Sequence, residues 1–203
     1  MGCSKTKPLA LSCRGNNNED LCKDVKTLDE LVKCYEKNYR KNLQKLLDYD
    51  SFEDAIKKAS YAKGADDKKH CHQYRLRNST LEKVESGLFK SKTKIESCTT
   101  FDELFHFLED EIGKIDGVGP LMIYDTALRL GAKLGLKPEK VYLHAGTRSG
   151  AKALGLDCKN KIIEIEKFPE PIQQLEPYEI EDFLCIYKDD LKSIKSWADL
   201  VTK

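Results

Sequence analysis

Four times along this chain a Ser or Thr is followed three residues later by an acid, at the head of apolar residues in helical spacing. These are Thr27-Leu28-Asp29-Glu30, Ser51-Phe52-Glu53-Asp54, Ser79-Thr80-Leu81-Glu82 and Thr100-Phe101-Asp102-Glu103. A hydroxyl ahead of the first turn accepts from an orphan backbone N–H, and an acid at the third position favours the positive end of the helix. Behind the first signal come Leu28, Leu31, Val32, Tyr35, Leu43, Leu46 and Leu47. Behind the second come Phe52, Ala55, Ile56 and Ala59, and behind the third Leu81, Val84 and Leu88. Phe101, Leu104, Phe105, Leu108 and Ile112 share one face behind the fourth, with Gly113 as the stop. Pro177 suits the first turn of a last helix carrying Ile180, Phe183, Leu184, Ile186 and Tyr187. Strand signals are confined to Val141-Tyr142-Leu143 and 162–165. The expectation is a mainly α, multi-helix globular fold with at most one or two short strands. It predicts a single helical domain over 26–203, behind a flexible cysteine-containing tail over 1–25.

Composition narrows the function classes. Across 203 residues, 35 Lys and Arg face 34 Asp and Glu, so a uniformly polybasic protein is excluded while a local basic patch is not. Apolar runs are too short for a membrane helix, and the first residues lack the apolar core of a secretory signal. The eight cysteines contain no CxxC, and a chain of this length builds a core without staples, so most are read as reduced intracellular thiols. Cys71 between His70 and His72 is too tightly spaced to hold one tetrahedral ion alone, and neither a metal nor a cofactor is expected. Met1-Gly2-Cys3-Ser4 fits a lipidation pattern, but the favoured reading is a polar tail, with the protein in the cytoplasm or nucleus.

The most specific stretch is Ile112-Gly113-Lys114-Ile115-Asp116-Gly117-Val118-Gly119-Pro120-Leu121-Met122-Ile123-Tyr124. An apolar helix end runs into Gly-Val-Gly, and Pro120 opens the next helix. Amides around Gly117, Val118, Gly119 and Leu121 would then face outward at a helix N-terminus, an anion site of phosphate size; the alternative is a tight helix–helix corner with no ligand. The stretch resembles the helix-hairpin-helix motif, here spanning 101–135, whose turn grips a phosphate of the DNA backbone.

The resemblance continues. Val141-Tyr142-Leu143-His144-Ala145-Gly146-Thr147-Arg148 precedes a helix expected over 149–156, as an extended segment precedes a helix in the helix-hairpin-helix DNA glycosylases. That resemblance implies a DNA-gripping scaffold over 100–156. The family's catalytic aspartate falls at His144, the interval from Gly119 is about one helical turn longer, and the lysine nucleophile of some members is replaced by Leu121. His144 remains a candidate acid or base. The small-residue turn after it suggests a second anion site, with Thr147 capping and Arg148 contributing charge, or else a plain capped turn over a structural His144.

Residues 63–94 hold nine Lys or Arg against four acids. Within them His70, His72, Gln73, Arg75 and Arg77 are candidate backbone contacts, unless the loop is simply a solvated basic surface. The chain beyond Asp157 is acidic and carries Trp197. Three readings follow. The first is a nucleic-acid backbone binder, with duplex DNA as its partner. The second is an enzyme acting on a base, nucleotide or DNA end through His144, Arg148, His70 and His72. The third is a non-catalytic module that meets a protein partner through the acidic C-terminal region.

Overall fold

The computed structural model describes residues 25–38, 50–63 and 76–194. The mainly α expectation holds there: ten α-helices surround one two-stranded sheet. The helices are α1 (Leu28–Asn38), α2 (Phe52–Ser60), α3 (Asn78–Lys90), α4 (Lys92–Glu96), α5 (Phe101–Ile112) and α6 (Pro120–Leu134), followed by α7 (Ala145–Ala153), α8 (Glu170–Gln173), α9 (Pro177–Ile186) and α10 (Asp190–Ser193). Strand β1 (Val141–Tyr142) pairs antiparallel with β2 (Ile162–Ile163), Val141 opposite Ile163 and Tyr142 opposite Ile162. A single 3-10 turn covers Ile165–Lys167. Among the described residues no helix is long and apolar enough to cross a membrane.

Three of the four opening signals behave as the sequence suggests. The hydroxyls of Thr27, Ser51 and Thr100 accept from the amides of Glu30, Asp54 and Glu103 at 3.2, 3.1 and 3.1 Å. Glu30 reaches back to the amides of Lys26 and Thr27, and these bonds hold its carboxyl below the usual range. The third signal misplaces its helix. α3 starts two residues early, behind Arg77, with no side-chain cap. Thr80, inside its first turn, instead donates its hydroxyl to the Asp116 carbonyl at 3.0 Å.

The apolar interior falls into two clusters. The first gathers α2 to α6 around Ile56, Leu88, Leu104, Tyr124 and Leu130. The second gathers α1 and α7 to α10 around Leu31, Tyr35, Phe183 and Leu184. The short extended segment is the seam between them. Val141 and Leu143 pack into the second cluster while Tyr142, pointing the other way, packs into the first. Its ring lies 4.6 Å from Phe105, 5.6 Å from Phe101 and 5.4 Å from Tyr124, and its hydroxyl donates to Asp102 of α5.

Two sequence expectations need correction. The helix expected over 149–156 begins at Ala145, so the small residues after His144 are its first turns rather than a loop. Cys34 is disulfide-bonded, an exception to the reading of most cysteines as reduced. The other described cysteines, Cys98, Cys158 and Cys185, are thiols. Trp197 and the latter half of the apolar pattern begun at Leu28 lie outside the described residues.

Candidate nucleic-acid interface

The turn between α5 and α6 is built by its own backbone. Gly113 closes α5 by donating to the Glu109 carbonyl at 3.1 Å, and Ile115 donates to Ile112 and Val118 to Ile115, each at 3.0 Å. Ile115 and Val118 tuck partly against the first core, which fixes the turn to the body. Gly117 has φ +88°, a left-handed conformation that strains any residue with a Cβ. A Cβ there would also sit 3.2 Å from the Thr80 hydroxyl oxygen. Gly119 differs: its φ is −107°, and a Cβ there meets nothing within 4 Å. It is the open lip of the turn.

Helix α6 starts at this lip with Pro120, no side-chain cap and no acid in its first turn. Helix α3 also starts without a side-chain cap or a first-turn acid, and Arg77 at its head is exposed. The Thr80–Asp116 bond places the first turn of α3 against the hairpin. The 13-residue α3 thus begins against the loop that opens the 15-residue α6, and each helix presents a positive dipole end without a side-chain cap. Helices α1, α2 and α5, by contrast, are capped and carry acids in their first turns. Lys114 is exposed beside the turn, as is Asp116, whose carbonyl is the group that Thr80 binds. Val118, Gly119 and Leu121 are half-buried.

The second candidate region is packing rather than surface. Helix α7 crosses α9 so closely that a Cβ on Gly146 would lie 2.6 Å from Cys185 Sγ, and one on Gly150 would lie 2.4 Å from the Leu184 carbonyl oxygen. Thr147 is fully buried and donates its hydroxyl to Glu181 Oε1 at 2.7 Å. Burial, with a smaller push from neighbouring Asp182, raises the Glu181 carboxyl well above the usual range, while the Thr147 hydroxyl works against that rise. Arg148 donates to the Cys158 carbonyl, tying α7 to the loop beyond it. Thr147 therefore faces the interior rather than an anion at the surface, and Arg148 gives Nη1 to a backbone carbonyl.

His144 is the N-cap residue of α7 and is 8% exposed. Its ring lies 4.7 Å from that of Tyr124. Burial, with a smaller contribution from Arg148, lowers its pKa from 6.5 to about 4, so it is neutral at pH 7. Among the described residues neither ring nitrogen has a hydrogen-bond partner, and the Tyr124 hydroxyl also lacks one. As a catalytic residue His144 would have to act from inside the seam.

His70, His72, Gln73 and Arg75 lie outside the described residues, so of these candidate contacts only Arg77, at the head of α3, is placed. Among the described residues no group of three His, Cys, Asp or Glu side chains is arranged to hold a metal ion. Sequence reading missed Thr80, the link between the basic stretch and the glycine turn. Its one signal was a hydroxyl in an apparent capping stretch that the actual helix start does not use. No protein-family model, curated protein or solved structure matches this chain.

Proposed function

We propose that this protein binds the backbone of nucleic acid, duplex DNA first, through the turn between α5 and α6. The observation that carries the reading is the Thr80–Asp116 bond, which sets the uncapped start of α3 against the loop that opens the uncapped α6, with Arg77 and Lys114 exposed. Amides of a helix start are preorganised donors, and a phosphate oxygen is the acceptor they suit. Gly119 keeps the lip open for close approach of a strand. The resemblance of residues 101–135 to the helix-hairpin-helix motif supports the same partner. Phosphate contacts carry no sequence information, so the protein should bind many sequences with similar affinity.

The enzyme reading has less support. Of its four residues Arg148 is engaged and His144 is buried and neutral, while the other two lie outside the described residues.

The test is binding of a labelled duplex between about 50 and 200 mM salt, the range over which phosphate contacts weaken most visibly. Affinity should fall steeply with salt and vary little with sequence. No binding at the lowest salt would overturn the proposal.

A further inference from the structure

Helix α6 carries a second polar feature, away from the hairpin. Met122, Thr126 and Arg129 recur at i, i+4 and i+7, forming one stripe of the helix. All three are buried, at 3%, 0% and 3% exposure. Thr126 and Arg129 are three residues apart, so their side chains leave the helix on the same side.

Both are unanswered. Among the described residues Arg129 Nε and Nη1 and the Thr126 hydroxyl have no hydrogen-bond partner. The third guanidinium nitrogen, Nη2, lies 3.9 Å from the Asp125 carboxylate, an ion pair too long to be a hydrogen bond. An arginine cannot escape burial by losing its proton. A permanent charge with two empty nitrogens in the interior is therefore an unfinished structure.

The missing group can be described from the donors. The N–H bonds on Nε and Nη1 point in different directions, so a single acceptor atom cannot satisfy both. The threonine hydroxyl adds a donor from one turn away. Such a set calls for an acceptor with several oxygens and negative charge to meet the guanidinium. Asp125 already offsets part of that charge.

We propose that Arg129 and Thr126 form an internal site for a phosphate-type oxyanion, distinct from the backbone contact at the hairpin. It is separate in composition as well as place: the hairpin offers backbone amides at the surface, while this site offers side-chain donors inside. The inference does not rest on the DNA-binding reading, and the two fail separately.

The experiment is thermal unfolding with inorganic phosphate, against chloride at matched ionic strength, with isothermal calorimetry for stoichiometry. Wild type and Gly119→Glu should both gain roughly 5–10 °C at about a hundredfold excess over Kd. Arg129→Lys keeps the charge but loses the planar fork, and its gain should vanish. Thr126→Val removes one donor at similar volume, and its gain should shrink. If Arg129→Lys does not fold, Thr126→Val decides. No gain in wild type overturns the site. So does an undiminished gain in either of the two site variants, which would mark an adventitious ion. A gain lost only in Gly119→Glu places phosphate at the hairpin and also overturns it. Acetate is the control for anion class: stabilisation by acetate and not by phosphate would overturn the phosphate assignment.

Discussion

Two glycine-bearing turns stand at the heads of α6 and α7, and they do opposite things. Gly117 and Gly119 lie in an exposed corner whose outer lip touches nothing. Gly146 and Gly150 lie within a helix, against the backbone and thiol of α9. Both segments look alike on paper: small residues, a helix start, a charged residue nearby. The difference lies in what approaches. At the first turn the neighbour is a single threonine hydroxyl that braces the loop from beneath. At the second a whole helix lies over the glycines. A glycine run is therefore ambiguous between a ligand lip and a helix crossing until the third dimension is known.

Substitution separates the two. Gly150→Ala should be the most damaging, destabilising by roughly 2–3 kcal/mol through its clash with the Leu184 carbonyl, read from urea unfolding. Gly119→Ala has a compatible backbone and open space, and should leave stability within about 0.5 kcal/mol. Equal losses at both positions would end the comparison.

Of similar size is a pH effect confined to the seam. The folded pKa of His144 is depressed from 6.5 to about 4, so the unfolded chain takes up its proton first as pH falls. The contribution is fully present above pH 6.5 and is lost between there and pH 4, amounting to about 3 kcal/mol. His144→Phe, which keeps a ring against Tyr124, should flatten the unfolding free energy over that interval. Glu181 works the other way. Its folded pKa is raised, so its contribution is present at low pH and lost as pH rises through the folded value. Glu181→Gln should remove the decline that this group contributes as pH rises above its unfolded value of 4.5, while leaving stability below that pH unchanged.

Smaller still is Thr147→Val. It removes the hydroxyl from Glu181 and should cost about 1–2 kcal/mol in unfolding experiments, with no change in DNA affinity. A loss of affinity without a loss of stability would restore Thr147 as a contact residue.

The helices were legible because their signals are local. Thr27, Ser51 and Thr100 cap through bonds spanning three residues, and Gly119-Pro120 punctuates the chain whatever surrounds it. The pairing of Val141–Tyr142 with Ile162–Ile163 was visible only as two isolated apolar patches. Thr147 was misread for a physical reason: its hydroxyl suits a cap or an anion, yet it goes to Glu181, 34 residues away. Thr80 and Arg148 likewise bond partners 36 and 10 residues away. Sequence spacing does not report such partners. The start of α7 was misplaced for a related reason, since glycine and alanine read as a turn when no neighbour is known, and as a close-packed helix once α9 lies across them.

The central claim is that the hairpin lip, and not the head of α7, meets nucleic acid. It is tested by placing the same acid at both. Ala145 is exposed at the first position of α7, as Gly119 is open at the head of α6. Gly119→Glu and Ala145→Glu each add one negative charge at a helix start, where folding tolerates it. With circular dichroism unchanged in both, duplex affinity at about 50 mM salt should fall roughly tenfold or more in Gly119→Glu, the loss of charge-assisted contact, and stay near wild type in Ala145→Glu. Equal affinity for wild type and Gly119→Glu, or a greater loss in Ala145→Glu, would contradict the account.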